Sequence, residues 1–442
     1  MREAIPRKEI SKLLFRQRIA AALLLAAALG SLGCGGEAPS EAEIDALGIP
    51  EAEGERKLSS IRRLAINRLL DFRVASGARA GFVALVAQDG QLAYARTTGY
   101  AEIESKTPMR LSTPFQLASM TKPVTAVAAM ILIEEGRLSL EDPVSNFIPE
   151  FAEMRVAASP ASPALGAGIT KPLAEPIRVR HLLTFTSGIG GYAETEDPFD
   201  LHWRSPDIEA AGLGSLAERI ELIPRLPLYE QPGQKWRYGW SFDVLARVIE
   251  IAAEEPFDRF LERRIFTPLG MQATMFPDDL PPTAPVARMY THDEDGRLVR
   301  EPRFDADYGH GWTPGGGGLV STAPDYLRFA LMLAQGGSLD GTRILKSETV
   351  AEMTRLHVPS GVLADMELEG LGWGLGFSVV ADAEKTPMPA KNGDYWWNGR
   401  FGTHFWISPE TNTVTIVLQQ TERSAFSDLP YTASVVQALA TP

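Results

Sequence analysis

Strand-like runs sit near both ends of this chain, with a long middle of helical and loop-like sequence between them, and that distribution limits the fold more than any other feature. Residues 82–87 and 92–97 are apolar runs broken by Asp89-Gly90, a dipeptide that accepts the positive φ angles of a tight hairpin. A second set, 395–397, 404–407 and 414–418, lies near the other terminus, its last two members joined by a turn around 409–412. Strands so widely separated can share a sheet only when the intervening chain folds outside it. The expected class is therefore α/β (α+β): one antiparallel sheet built from both chain ends, flanked by helices, with a mainly helical lobe inserted at about 140–310. Flanking helices are read at ~57–75, where Leu58, Ile61, Leu64, Leu69 and Phe72 recur at helical spacing, and at 428–439. The sheet lobe then takes about 57–139 and 311–440 of a domain spanning 57–440.

The segment ahead of that domain reads as an address. Residues 1–33 combine a basic start, ending at Arg16 and Arg18, with an apolar core of mainly Ala and Leu at 19–29, the pattern of an export signal and too short for a permanent span. Cys34, the single cysteine of the chain, follows directly and resembles the acylated cysteine of a bacterial lipoprotein, with Ser31 standing where that signal usually carries an aliphatic residue. The expectation is a lipid anchor at Cys34 and a periplasmic or cell-envelope location; ordinary cleavage with a free thiol and an uncleaved anchor are the alternatives. One cysteine forms no internal disulfide, so stability must come from the core. Residues 34–56, small and acidic with Pro39 and Pro50, are expected to be a tether. Removing residues 1–33, which hold six Lys/Arg and two Asp/Glu, takes the formal charge from −13 to −17. So acidic a chain, without a basic patch interleaved with aromatics, argues against a nucleic-acid partner.

Chemistry concentrates at Ser119-Met120-Thr121-Lys122, which heads the apolar segment 123–135. Pro123 has no N–H and is tolerated only in the first turn of a helix, so the helix should begin near Ser119. The three-residue spacing then sets the serine hydroxyl and the lysine amine on one face, within reach of each other. The unpaired N–H groups at that end suit a developing oxyanion. Taken alone, the tetrad also fits a capped surface helix. Tyr238, in the run 231–241 before the amphipathic segment 242–253, is a second candidate: a phenol near the Lys122 cation could share a proton with the serine, although a packed aromatic fits the same residue.

Several stretches in order carry a resemblance. Ser119-Met120-Thr121-Lys122 after Pro114-Phe115-Gln116-Leu117-Ala118, the run 177–188 with His181-Leu182-Leu183-Thr184-Phe185-Thr186-Ser187-Gly188, Pro232-Gly233 before Tyr238, and 315–323 before Asp325-Tyr326 are similar to the β-lactamase-related serine hydrolases, the group of class C β-lactamases, D-Ala-D-Ala carboxypeptidases and family VIII carboxylesterases. The resemblance implies a β-lactamase/transpeptidase-like fold without cofactor. It implies that Ser119 is the acylated nucleophile, Lys122 the amine that helps deprotonate it, and Tyr238 the proton shuttle. Trp397-Asn398-Gly399 stands at the group's third motif, and the backbone N–H groups of Ser119 and Arg400 would form the oxyanion hole.

Two departures bear on substrate. Trp397 replaces a lysine that would meet the carboxylate of a β-lactam or D-Ala terminus, and Arg400 restores a charge only if its guanidinium turns inward. Gly239-Trp240 replaces a residue pair ending in Asn, removing an amide and adding an apolar wall at Trp240. Both favour small esters, with amides allowed, as the small-molecule partner. The rivals are a β-lactamase or D-Ala-D-Ala carboxypeptidase, and a non-catalytic cell-wall-binding protein on the same fold. No obligate protein partner is evident. The 292–296 stretch reads as a hairpin turn rather than a cation loop, His181 as a core or capping histidine, and His404 as a residue that could line the pocket; no metal is expected.

Overall fold

The computed structural model describes residues 39–157, 170–191, 214–302, 311–358, 369–422 and 431–441, apart from residues 282 and 387. The export leader, Cys34, His310 and positions 428–430 of the closing helix lie outside the described residues.

In chain order, helix α1 (Ser60–Ala75) leads into strands β1 (Gly81–Gln88), β2 (Gln91–Glu102) and β3 (Thr107–Pro108). Helices α2 (Thr121–Glu134), α3 (Ser241–Ala253) and α4 (Ala323–Ala334) follow, then strands β4 (Leu371–Trp373), β5 (Ser378–Val380), β6 (Tyr395–Asn398), β7 (His404–Ser408) and β8 (Thr413–Leu418), and helix α5 (Tyr431–Ala440). The strands form one eight-stranded sheet in the order β4-β5-β6-β7-β8-β1-β2-β3, every neighbouring pair antiparallel. The two chain ends meet at its centre, where β1 pairs with β8 from Val83 opposite Leu418 to Gln88 opposite Thr413. Asp89 and Gly90 turn the β1–β2 hairpin with φ of 49° and 77°, the left-handed pair that a two-residue turn of this hand requires.

Alternation along β1 explains the layers. Val83, Leu85 and Ala87 join a core with α2, α3 and α4, whereas Phe82, Ala84 and Val86 pack with Ile66, Leu69 and Leu70 of α1 and Val435 and Val436 of α5. Both faces of the sheet are thus covered. Between α2 and α4 the described chain is short helices, α3, and two-stranded hairpins, one of which (Tyr290–His292 with Leu298–Arg300) is the turn read at 292–296. Among the described residues no helix is long and apolar enough to cross a membrane.

Two expectations need correction. The acidic tether does not extend through residue 56, because residues 40–52 are folded against the domain. Ser40 caps the short helix Glu41–Asp45 by exchanging hydrogen bonds with Glu43, Leu47, Ile49 and Ala52 are buried, and Pro50 and Ala52 bond the backbone of Leu92. Average composition concealed this: Glu41, Glu51 and Glu53 face solvent while Leu47, Ile49 and Ala52 turn inward. The far end of the chain also supplies five strands rather than three, since β4 and β5 are three residues each, too short to show a period.

Candidate active site

The Ser119 segment is strained before it becomes helical. Ala118, Ser119 and Met120 form a single 3-10 turn ahead of α2, and Ala118 has φ +46°, a conformation that costs a residue with a Cβ about 1–2 kcal/mol. Pro123 falls on the third residue of α2, where its missing N–H leaves no bond unmade. One turn on from Ser119, Lys122 is fully buried, which a polar amine tolerates only when it is hydrogen-bonded. Its Nζ donates to Ser119 Oγ at 3.1 Å and to the Gly316 carbonyl at 2.5 Å, and lies 4.6 Å from the centre of the Tyr238 ring.

Tyr238 reaches the same oxygen from the other lobe, its hydroxyl donating to Ser119 Oγ at 2.7 Å. Its position follows from a second segment laid alongside. Gly233 and Arg237 bond the carbonyls of Thr186 and Phe185, and Gly239 lies against Gly190 so closely that a Cβ would stand 2.2 Å from the Gly190 carbonyl. Around the phenol ring stand Phe185 at 4.7 Å, Trp397 at 5.7 Å and Trp236 at 5.9 Å between centroids, with Trp373 packed edge-on to Trp397 at 4.6 Å. Phe185, like Ala118, is a non-glycine residue at positive φ, +55°. Two such residues flanking one hydroxyl mark a place where the surrounding structure imposes conformation.

Strand β6 closes the third side. Thr403 donates to the Leu117 carbonyl at 2.9 Å, and a Cβ on Gly399 would lie 2.2 Å from that same carbonyl. Only glycine lets the strand end press onto the turn bearing Ser119, and this contact sets the Arg400 backbone beside the nucleophile's turn.

The remaining expected residues divide. Trp397 contacts the Tyr238 ring. Pairing of Trp397 with Phe405 and of Asn398 with His404 puts Asn398 on the opposite face, so its side chain does not join the trio. His404 shares that opposite face, fully buried between Trp396 (5.5 Å) and Trp406 (6.0 Å), and does not line a pocket at Ser119. The Arg400 guanidinium is not turned toward Ser119 as a free charge; it pairs with Glu422 at 2.6 Å. Trp240 packs on the Gly191 backbone and toward Trp312, at 6.4 Å, outside the ring group around Tyr238. His181 is a capping histidine: its Nδ1 accepts from the Arg178 N–H at 3.1 Å, and burial pushes its imidazole down to about 4. Phe185, Trp236 and Trp373 were not assigned from sequence. The first two lie inside the motifs already quoted, and Trp373 lies on a strand too short to read.

A serine whose oxygen is approached by an amine and a phenol, at the start of a helix and beside a strand edge, defines a serine hydrolase of the acyl-transfer type. The chain belongs to the β-lactamase family, whose model, described as Beta-lactamase, matches residues 66–440. Protein Rv1367c of Mycobacterium tuberculosis (strain ATCC 25618 / H37Rv) is 33% identical over 364 residues, covering 78% of this chain and 86% of the relative. Esterase EstB of Burkholderia gladioli is 31% identical over 358 residues, covering 76% and 85%. Among solved structures, EstCE1, described as a hydrolase with promiscuous acyltransferase activity, superposes with a TM-score of 0.72 at 27% identity, covering 85% of this chain and 97% of that one.

Proposed function

We propose that this hydrolase cleaves small carboxylic esters through an acyl-enzyme on Ser119. The observation that carries the reading is the meeting of Lys122 Nζ and the Tyr238 hydroxyl on one Ser119 oxygen, at 3.1 and 2.7 Å. In acylation, Oγ attacks the ester carbonyl and its proton passes to the Lys122–Tyr238 pair, in which Lys122 takes part as the neutral amine, while the N–H groups of Ser119 and Arg400 receive the oxyanion. Collapse breaks the bond to the leaving alkoxide, which takes the proton from Tyr238. Water then attacks the acyl-serine by the same relay, releasing the acid and restoring the hydroxyl.

Esters are favoured over β-lactams by the surroundings. An indole stands at Trp397, and the nearby Arg400 cation is already neutralised by Glu422, so neither offers an open charge to a substrate carboxylate. The resemblance to esterase EstB points the same way. Rapid turnover of p-nitrophenyl esters with no hydrolysis of cephalosporins is the expected result; the reverse pattern refutes the substrate assignment.

The same reading includes export and a lipid anchor at Cys34, supported by the basic and apolar leader. Cys34→Ala is expected to move the protein from the membrane to the soluble fraction, and unchanged fractionation excludes the anchor.

A further inference from the structure

The glycine run 315–318 passes behind Lys122 and has no part in the steps above except through one carbonyl. It is clamped from two sides. A Cβ on Gly315 would lie 2.4 Å from the Phe242 carbonyl and 2.7 Å from Ala246 Cβ, so the run packs directly on α3. From α2, Thr125 donates to the Gly315 carbonyl at 2.7 Å, and Thr121 Oγ1 accepts from the Leu319 N–H at 3.1 Å. Between these two clamps Gly316 makes a pair of contacts. Its carbonyl accepts from Lys122 Nζ at 2.5 Å, and its N–H donates to Asp243 Oδ1 at 2.9 Å.

Asp243 is fully buried in the first turn of α3, five residues after Tyr238. A carboxylate withdrawn from water is costly, and the positive end of the helix offsets only part of that cost. The lysine stem has four rotatable bonds, and a glycine backbone has the widest conformational range of any, so a carbonyl on such a run can hold Nζ in one place only if the run itself is held. We infer that Asp243 is a positioning residue for the reaction: its carboxylate fixes Gly316, whose carbonyl keeps Lys122 Nζ within hydrogen-bonding distance of Ser119 Oγ. This deepens the acyl-enzyme reading and rests on it.

The test uses the full chain with Asp243→Ala and Asp243→Asn, each made alone and in a Lys122→Ala background. The readouts are kcat and KM on p-nitrophenyl acetate and the rate at which a fluorophosphonate labels Ser119. Asp243→Ala is expected to lower kcat by ~10-fold or more with KM changed less than about twofold, because geometry rather than binding is lost. Asn keeps an acceptor in the same place and should recover most of the rate. In the Lys122→Ala background, Asp243→Ala should change the remaining labelling rate less than about twofold, since its effect runs through the lysine. Wild-type kinetics in Asp243→Ala, or an undiminished loss in the Lys122→Ala background, overturns the proposal. If the alanine chain does not fold, the cycle is read with Asp243→Leu, which keeps the bulk without an acceptor: wild-type kinetics, or a loss that persists without Lys122, overturns the proposal with the same force. Failure of the wild-type chain to be labelled at Ser119 overturns instead the acyl-enzyme reading beneath it.

Discussion

The two faces of the sheet are built on different terms. On the outer face, α1 and α5 cover Phe82, Ala84 and Val86 with Ile66, Leu69, Leu70, Val435 and Val436, and the ion pair there, Arg96 with Asp71, keeps its side chains 16% and 24% exposed. On the inner face a lysine and an aspartate, Lys122 and Asp243, are wholly buried, and the nucleophile's turn starts from a strained Ala118. Hydrophobic complementarity explains most of the first layer, and its ion pair stays in reach of water. The second holds arrangements that weaken a fold, and these are tolerable because the surrounding contacts over-determine them. The lesson is that the outer face is made for stability and the inner face for a reaction.

Mutations can separate the two. Ser119→Ala should reduce turnover by about 10⁴-fold or more while shifting Tm by no more than a few degrees, because the residue's role is chemical; retained activity, or a large loss of stability, breaks the contrast. On the other face, Leu70→Ala should cost about 2–5 kcal/mol of stability by leaving a cavity, with kcat per folded molecule unchanged, as denaturant titration and active-site counting together would show. Lys122→Ala and Tyr238→Phe should each lower kcat by ~10²-fold, and a normal rate in either removes that residue from the relay. Gly399→Ala sharpens the boundary between the faces: its methyl would meet the Leu117 carbonyl and push β6 off the nucleophile's turn, so kcat should fall about tenfold or more with a modest drop in Tm. Unaltered kcat in that variant would show that the strand's close approach is not needed for catalysis.

Sequence made parts of this plain for physical reasons. Asp89-Gly90 specifies its turn locally, Pro123 marks the first turn of α2 because it cannot sit deeper, and the three-residue spacing of Ser119 and Lys122 becomes contact once the helix exists. Tyr238 was reachable only through its motif, since nothing within 119 residues of chain says that two lobes will bring it to the same oxygen. Asn398 and His404 depended on the register of β6 and β7, where a single residue decides the face. Asp243 carried a signal that went unread, a carboxylate in the otherwise apolar run Phe242-Asp243-Val244-Leu245, but its partner is a backbone N–H supplied from far along the chain. The fold of residues 40–52 was hidden by an acidic average over alternating inward and outward positions.

The most direct test of the convergence on Ser119 is intact-mass analysis after brief incubation with a p-nitrophenyl ester, followed by peptide mapping. One acyl group per chain, on the peptide holding Ser119 and absent from Ser119→Ala, is the predicted result. Ester hydrolysis at an undiminished rate in Ser119→Ala, or an acyl group mapped to another residue, would contradict it.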